Sequence, residues 1–475
     1  MARVSKGPKT FFRLSPAERS KALCFGLKRG ELTERLDVNY WRLTPLFKHR
    51  FAKPRFPLVE LGNIVELVQY GISSLASTER RGVPMLRMNN LQKEGWDLND
   101  LKYIELSERE LETYRLKIGD ILFNRTNSKE LVGKCEVFRE AGDWVFASYL
   151  IRMRLLPSVS PQFVSDFLST SVGRLQIDRL SRQIIGMTNI NGEELRHILV
   201  PLPADEKKQQ EFVFAMDAMR ASRKNKLEEA NNLLSGLDGF LLNLLGLDPP
   251  HRDQRRVFAV HRKQLQLEDR INPDYFHPER ILALRNLDRA AVHLNHARLE
   301  DVVDFIREQI KTPSENYLSL ANVQSHTGEL VDANEDASGA CSLFKTGDVL
   351  FARLRPYLNK VYRAEMDGCC SPEFHVLRIR DKQQLLPDYL AVALRSSLIL
   401  AQTKHMMTGN THPRLTNDDV VDLVIPVPKA DIQQEIAKEM NGRREQARRL
   451  RAQAEKEWLA SRSAFERALL EDEDA

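Results

Sequence analysis

The run Gly119-Asp120-Ile121-Leu122-Phe123-Asn124-Arg125 returns 228 residues later as Gly347-Asp348-Val349-Leu350-Phe351-Ala352-Arg353. Other segments keep the same order at nearly the same offset. Arg35-Leu36-Asp37-Val38-Asn39-Tyr40-Trp41 matches Arg270-Ile271-Asn272-Pro273-Asp274-Tyr275-Phe276, and Leu86-Arg87-Met88-Asn89-Asn90-Leu91 matches Leu318-Ser319-Leu320-Ala321-Asn322-Val323. Val200-Pro201-Leu202-Pro203 matches Ile425-Pro426-Val427-Pro428, and Gln209-Gln210-Glu211 matches Gln433-Gln434-Glu435. Ordered matches at a period this long mean a duplicated domain rather than a solenoid of short repeats.

Each copy has one internal order. Short β-rich runs come first, among them Phe146-Ala147-Ser148-Tyr149-Leu150-Ile151-Arg152-Met153-Arg154. A helical stretch follows, near 161–180 in copy one and 387–405 in copy two; then come a polar loop with glycine, the Pro-x-Pro segment and a long helix. The apolar series Phe212, Met216, Met219, Ala230, Leu233, Leu237, Leu241, Leu244 recurs at helical spacing, broken only by Arg223 and Lys226. Ile432, Ile436, Met440, Ala447, Leu450, Ala454, Trp458, Ser461, Phe465 and Leu469 form its counterpart. Each stripe predicts a helix of about forty residues, roughly 60 Å long. A lone amphipathic helix would leave its stripe in water, so the two are expected to pair with each other.

The expected fold is α+β: two repeated α/β domains joined by two long antiparallel helices, a pseudo-two-fold duplication. The expected boundaries are an N-terminal extension at 1–32, the first domain at 33–204, the first long helix at 205–248, a linker at 249–269, the second domain at 270–430, the second long helix at 431–470 and an acidic tail at 471–475. Pro249-Pro250 stops the first helix at the join.

Composition restricts the function. Lys plus Arg number 71 and Asp plus Glu 66, and 42% of the 475 residues are hydrophobic, enough for packed cores. No apolar run is long enough for a membrane span, and the basic start lacks the apolar core of a secretory signal, so a soluble intracellular protein is expected. The five cysteines contain no C-x-x-C pair, which leaves no zinc framework and points to reduced thiols. A net charge of +5 over the whole chain is too weak to argue for nucleic acid by itself, so the placement of the charges decides.

Two unlike α/β segments, each ending in a glycine-containing polar loop, a Pro-x-Pro element, a Gln-Glu pair and a long helix, resemble the specificity subunit of type I restriction-modification systems. The loops are Gly186-Met187-Thr188-Asn189 and Gly409-Asn410-Thr411-His412, and the Gly-Asp-Ile-Leu-Phe and Gly-Asp-Val-Leu-Phe elements resemble that family's recognition domains. The loops depart from the family's usual Gly-Thr-Thr-Gln type. The resemblance implies two target recognition domains, a non-catalytic role in recognising a bipartite, asymmetric site in double-stranded DNA, and no membrane. It implies methyltransferase subunits held through the long helices and restriction subunits as further partners. The chain itself would need no cofactor, with S-adenosylmethionine, and ATP with magnesium for restriction, on the partner subunits.

Phosphates are held by Lys and Arg, while base edges are read by Arg, Asn, Gln and similar side chains. After the Gly-Asp strand, copy one offers Arg125, Asn127 and Lys129, and copy two Arg353, Arg355, Asn359 and Lys360. Before the Pro-x-Pro element, copy one has Arg182, Gln183, Thr188 and Asn189, and copy two Lys404, Asn410, His412 and Arg414. A third region of copy one carries Tyr70, Ser73, Ser74, Arg80 and Arg81. Arg443, Arg444, Arg448, Arg449 and Arg451 are expected on a helix face at a subunit interface or near phosphate.

Catalysis has little support. Asn272-Pro273-Asp274-Tyr275 resembles the Asn-Pro-Pro-Tyr motif of adenine methyltransferases but lacks the second proline, and no glycine-rich loop for S-adenosylmethionine is found. No phosphate-binding loop of the G-x-x-x-x-G-K-[ST] type occurs. The rivals are a divergent methyltransferase or fused restriction enzyme, and a helical scaffold whose α/β heads bind protein.

Overall fold

The computed structural model describes residues 14–22, 24–32, 35–92, 95–184, 187–250, 257–263, 273–313, 316–331, 333, 335, 339–406 and 413–471. Two compact units form: Met1–Asn225 with Gln453–Ala475, and Lys226–Ala452. Each unit takes one α/β domain and one end of each long helix.

In the first unit, helix Val38–Arg50 starts where the Asp37 carboxylate accepts the Tyr40 amide N–H at 2.9 Å. It packs on helix Ser171–Leu180. The central sheet is antiparallel, in the order Val65–Tyr70, Leu150–Leu155, Ile121–Asn124, Cys135–Val137. Ile121 to Asn124 are all buried, because both faces of this strand are covered. Ile121, Phe123, Ile151 and Met153 meet helix Pro161–Leu168 on one side, while Leu122 and Leu150 meet Leu86, Phe138 and Phe146 on the other. Here the start of the first long helix packs on the end of the second: Phe212 lies edge-on to Phe465 at 5.6 Å, and Phe465 also meets Phe163 at 5.8 Å.

The second unit repeats the plan. Its central sheet runs Val303–Ile306, Phe374–Ile379, Val349–Ala352, Val361–Arg363, again antiparallel. Val83–Leu86 pairs in parallel with Val145–Phe146, and its counterpart Tyr317–Leu318 pairs in parallel with Gly368–Cys370. Leu58–Glu60 pairs with Leu199–Pro201, and His296–Arg298 with Val424–Pro426. The helical stretches anticipated near 161–180 and 387–405 each form two helices: Pro161–Leu168 and Ser171–Leu180, then Pro387–Arg395 and Ser397–Thr403. Leu234, Leu237 and Leu241 share a core with Ile436, Met440 and Ala447, so here the end of the first long helix meets the start of the second. Within each unit the pairing is therefore antiparallel, and it buries both apolar stripes.

Three polar anchors account for the motifs that revealed the repeat. Gly119 and Gly347 sit at φ +95° and +90° and turn the chain, so that Asp120 accepts the Lys117 amide and Asp348 the Lys345 amide, each at 2.8 Å. Asp120 then takes a two-pronged ion pair from Arg154 at 2.7 and 2.8 Å, and Asp348 takes the same from Arg378 at 2.8 and 2.7 Å. The first glutamine of each Gln-Gln-Glu is the second anchor. Gln209 accepts the Ser160 amide and donates to the Pro203 carbonyl; Gln433 accepts the Leu386 amide and donates to the Pro428 carbonyl. Gln176 and Gln402 form the third, each exchanging two hydrogen bonds with the strand before the Pro-x-Pro element, at Leu199 and Val424.

Two expectations change. The first long helix is Glu206–Ser235 followed by Leu237–Leu245, with Gly236 at the junction, while the second runs unbroken over Ala430–Leu470. Part of the arginine cluster on the second helix turns inward, while Arg448 and Arg449 stay exposed. Arg444 is buried and donates to Glu329 at 2.9 Å, and Arg448 and Arg451 lie 3.6 and 3.5 Å from the same carboxylate. Arg443 pairs with Glu439 at 2.7 Å over the Phe240 ring, and Arg449 pairs with Glu445. Sequence reading missed Glu329 because it is 115 positions away from Arg444. All five cysteines are free thiols. No helix of the described residues is long and apolar enough to cross a membrane.

Candidate nucleic-acid interface

In the first unit the two anticipated loops form a single frame. Arg182–Ile184 and Met187–Asn189 make a β-hairpin, and Thr126–Asn127 adds a third strand with Thr188 opposite Asn127 and Asn189 opposite Thr126. The polar stretch expected as loop is therefore sheet, because its partner strand lies some sixty positions upstream (Asn189 pairs with Thr126). Arg125 is pinned by its main chain on both sides. Its N–H donates to the Tyr149 carbonyl at 3.1 Å, and its carbonyl accepts the Ile190 N–H at 3.0 Å.

Its guanidinium lies over the Tyr70 ring, 4.8 Å from the centroid, and its Nη2 donates to Asn189 Oδ1 at 3.4 Å. The Tyr70 hydroxyl in turn accepts the Gly192 amide at 2.8 Å, which fixes the ring. Around this point Met187 and Tyr149 are exposed, as are Gln183 and Lys129. Asn127 is half-buried, its Oδ1 accepting the Ser128 amide at 2.7 Å, and Thr188 is buried. Arg182 is exposed but pairs with Glu194 at 2.6 Å. Arg80 and Arg81 lie on the exposed loop between Val65–Tyr70 and Val83–Leu86, where Arg81 reaches Glu79 at 3.6 Å.

The second unit keeps the main-chain frame and changes the side chains. The Arg353 N–H donates to the Glu373 carbonyl at 2.8 Å, and the Arg353 carbonyl accepts the Leu415 N–H at 3.0 Å. Positions 125, 149 and 189 thus correspond to 353, 373 and 414. Where copy one sets Asn189 against Arg125, copy two sets Arg414 against Glu373, at 2.7 to 3.1 Å. Burial and the Arg353 charge push His375, beneath this site, down to about 3, so it stays neutral. Arg355 and Tyr357 are exposed; Arg355 sits at φ +50°.

Three other candidates of copy two are bonded within the protein. Asn359, at φ +49°, is buried and donates to the Arg395 carbonyl at 2.7 Å, and Lys360 donates to the Leu320 carbonyl at 2.7 Å. Lys404 donates to Glu279 at 2.9 Å. Asn410 and His412 lie outside the described residues. So do Asn272 and Gly186, while only the main chain of Asp274 is described.

Glu279 also meets His405 Nε2 at 3.1 Å, and the His405 and His277 rings stack at 3.5 Å. These three residues could hold a metal by type. However, the Lys404 ammonium occupies the carboxylate, His277 Nδ1 accepts the Glu279 amide at 3.3 Å, and parallel rings cannot both aim lone pairs at one ion. The group acts as a joint between helix Pro278–Ala290 and the end of Ser397–Thr403.

Residues 298–442 match the family described as type I restriction modification DNA specificity domain. The chain is 29% identical over 230 residues to the EcoKI specificity subunit of Escherichia coli (strain K12), covering 47% of each. It is 22% identical over 179 residues to the EcoDI specificity subunit of Escherichia coli, covering 35% of this chain and 39% of that one. The matched part thus spans about half the length of the curated relatives, or less. A solved structure from work on assembly and conformational transition of the type I R-M system overlaps 88% of this chain and 99% of its own, at TM-score 0.45 and 16% identity. The S subunit from M. genitalium overlaps 88% and 97%, at TM-score 0.41 and 10% identity. Residues 298–442 thus match the type I restriction modification DNA specificity domain, and about half of the chain is similar to specificity subunits of type I restriction enzymes.

Proposed function

We propose that the chain is the non-catalytic DNA-recognition subunit of a restriction-modification complex, reading a bipartite, asymmetric duplex site and bringing methyltransferase subunits, with restriction subunits, to it. The observation that carries this reading is the doubled frame: one main-chain arrangement presents Arg125, Tyr149 and Asn189 in one unit and Arg353, Glu373 and Arg414 in the other. Equal frames with unequal side chains suit two different half-sites. The paired long helices would set the distance between them and offer their outer faces to partner subunits. Adenine methylation would occur on those partners, which would bind S-adenosylmethionine, with ATP and magnesium serving restriction.

The test is direct. The purified chain should bind duplex DNA with an affinity that falls steeply with salt, as several phosphate contacts require. Sequencing of methylated adenines in cells with and without the chain should then reveal one interrupted motif. Salt-insensitive or absent DNA binding would favour the scaffold reading, and methyl transfer by the chain alone would favour an enzyme.

A further inference from the structure

We infer that Arg125 is the guanine reader of the first recognition frame, a role that rests on the DNA reading proposed above. A base-reading arginine needs a rigid guanidinium, outward N–H groups and no competing carboxylate. Arg125 meets all three. Its main chain is held at both N–H and carbonyl, and its guanidinium is backed by Tyr70 and tethered by Asn189.

Its Nε is buried without an acceptor, so the side-on fork is closed and the two terminal nitrogens are left to form an end-on fork. Guanine offers O6 and N7 as a matching acceptor pair in the major groove, which no other base does. Other candidates differ in this respect: Arg182 is paired with Glu194 and, in the second unit, Arg414 with Glu373 and Lys404 with Glu279, whereas no ion pair of the described residues involves Arg125. A phosphate contact would need only the charge. The aromatic backing and the amide tether add orientation, which phosphate binding does not require.

The experiment selects preferred duplexes from a random-sequence pool with the full-length chain, then with R125A, R125K and K129A. The wild type should enrich one guanine that R125A and R125K both lose, with discrimination at that position falling about 10- to 100-fold and the other positions unchanged. K129A, expected to touch phosphate, should weaken binding evenly across sequences. Retention of the guanine by R125A, or an even loss of affinity in R125A, would make Arg125 a phosphate contact and overturn the inference, and retention by R125K would overturn the two-pronged fork. No enrichment by the wild type would instead overturn the proposed DNA reading itself. Unchanged thermal melting of R125K shows that the frame is intact.

Discussion

Removing the Glu329 carboxylate should destabilise the second unit more than any other single charge change there. Glu329 is 3% exposed and is the buried acid facing Arg444, which is itself 5% exposed, with Arg448 and Arg451 within 4 Å. Arg395 lies beside them, and burial followed by the Arg444 charge pulls its guanidinium below the ordinary arginine value, a shift that Glu329 opposes. In E329A, Arg444 would remain buried with only Glu365 among the described acids, 3.7 Å away, to face it, and Arg395 would lose the acid that offsets its shift.

Breaking a buried pair from one side costs about 3–5 kcal/mol, because a desolvated charge is left uncompensated. At roughly 2–4 °C per kcal/mol for a unit of this size, the melting temperature should fall by about 6–20 °C. R448A removes a half-exposed partner at 3.6 Å and should cost less than about 1 kcal/mol. Calorimetry and urea unfolding of both variants, with the E329A/R444A double mutant closing a cycle, provide the assay. An E329A loss below about 1 kcal/mol, or no coupling in the cycle, would refute the view that this carboxylate holds the helix to the domain.

Four further outcomes are expected. G119A and G347A should each cost about 1–2 kcal/mol from left-handed backbone strain alone, since the added methyl would meet only proline carbons at 3.8 and 3.9 Å; chemical denaturation checks this. Q209A and Q433A should each cost about 2–4 kcal/mol by leaving a buried amide and carbonyl unpaired, and the two losses should agree closely if the anchors are equivalent. His375 is depressed when folded, so the unfolded chain protonates first as pH falls below about 6.5. Stability should drop by about 2 kcal/mol between pH 7 and 5, and urea titrations of H375Q should lose that part of the slope. Inserting one helical turn into both long helices, where they pair, should lengthen the unread gap of the methylated motif by roughly one to two base pairs, given 5.4 Å per turn and 3.4 Å per base pair.

The duplication was readable because it rests on local chemistry. Glycine before aspartate turns the chain, proline opens a helix, and apolar residues at steps of three and four demand a packed face. What remained hidden depends on partners distant in sequence. Arg154 reads as a strand residue, and only the folded sheets set Arg154 on Asp120 and Arg378 on Asp348. The arginines of 443–451 look like one outward basic face until Glu329 is folded against Arg444, Arg448 and Arg451. The hairpin Arg182–Asn189 looked like loop, since its third strand, Thr126–Asn127, adjoins another motif. Among the candidate contacts, Arg125 and Asn189 come together, whereas Asn359, Lys360 and Lys404 bond to other groups of the protein. Residue type alone could not distinguish them, because the buried asparagine cap at Asn359 and the half-buried Asn189 beside Arg125 carry the same side chain.

The frame at Arg125 and Arg353 is fastened by peptide groups rather than by the side chains it displays. It therefore works as a socket: positions 149 and 189, or 373 and 414, can be refilled without loosening the mount. On the proposed DNA reading, a new target word would require only a few exchanged side chains in one unit, leaving the other half of the vocabulary and the folding of both units untouched.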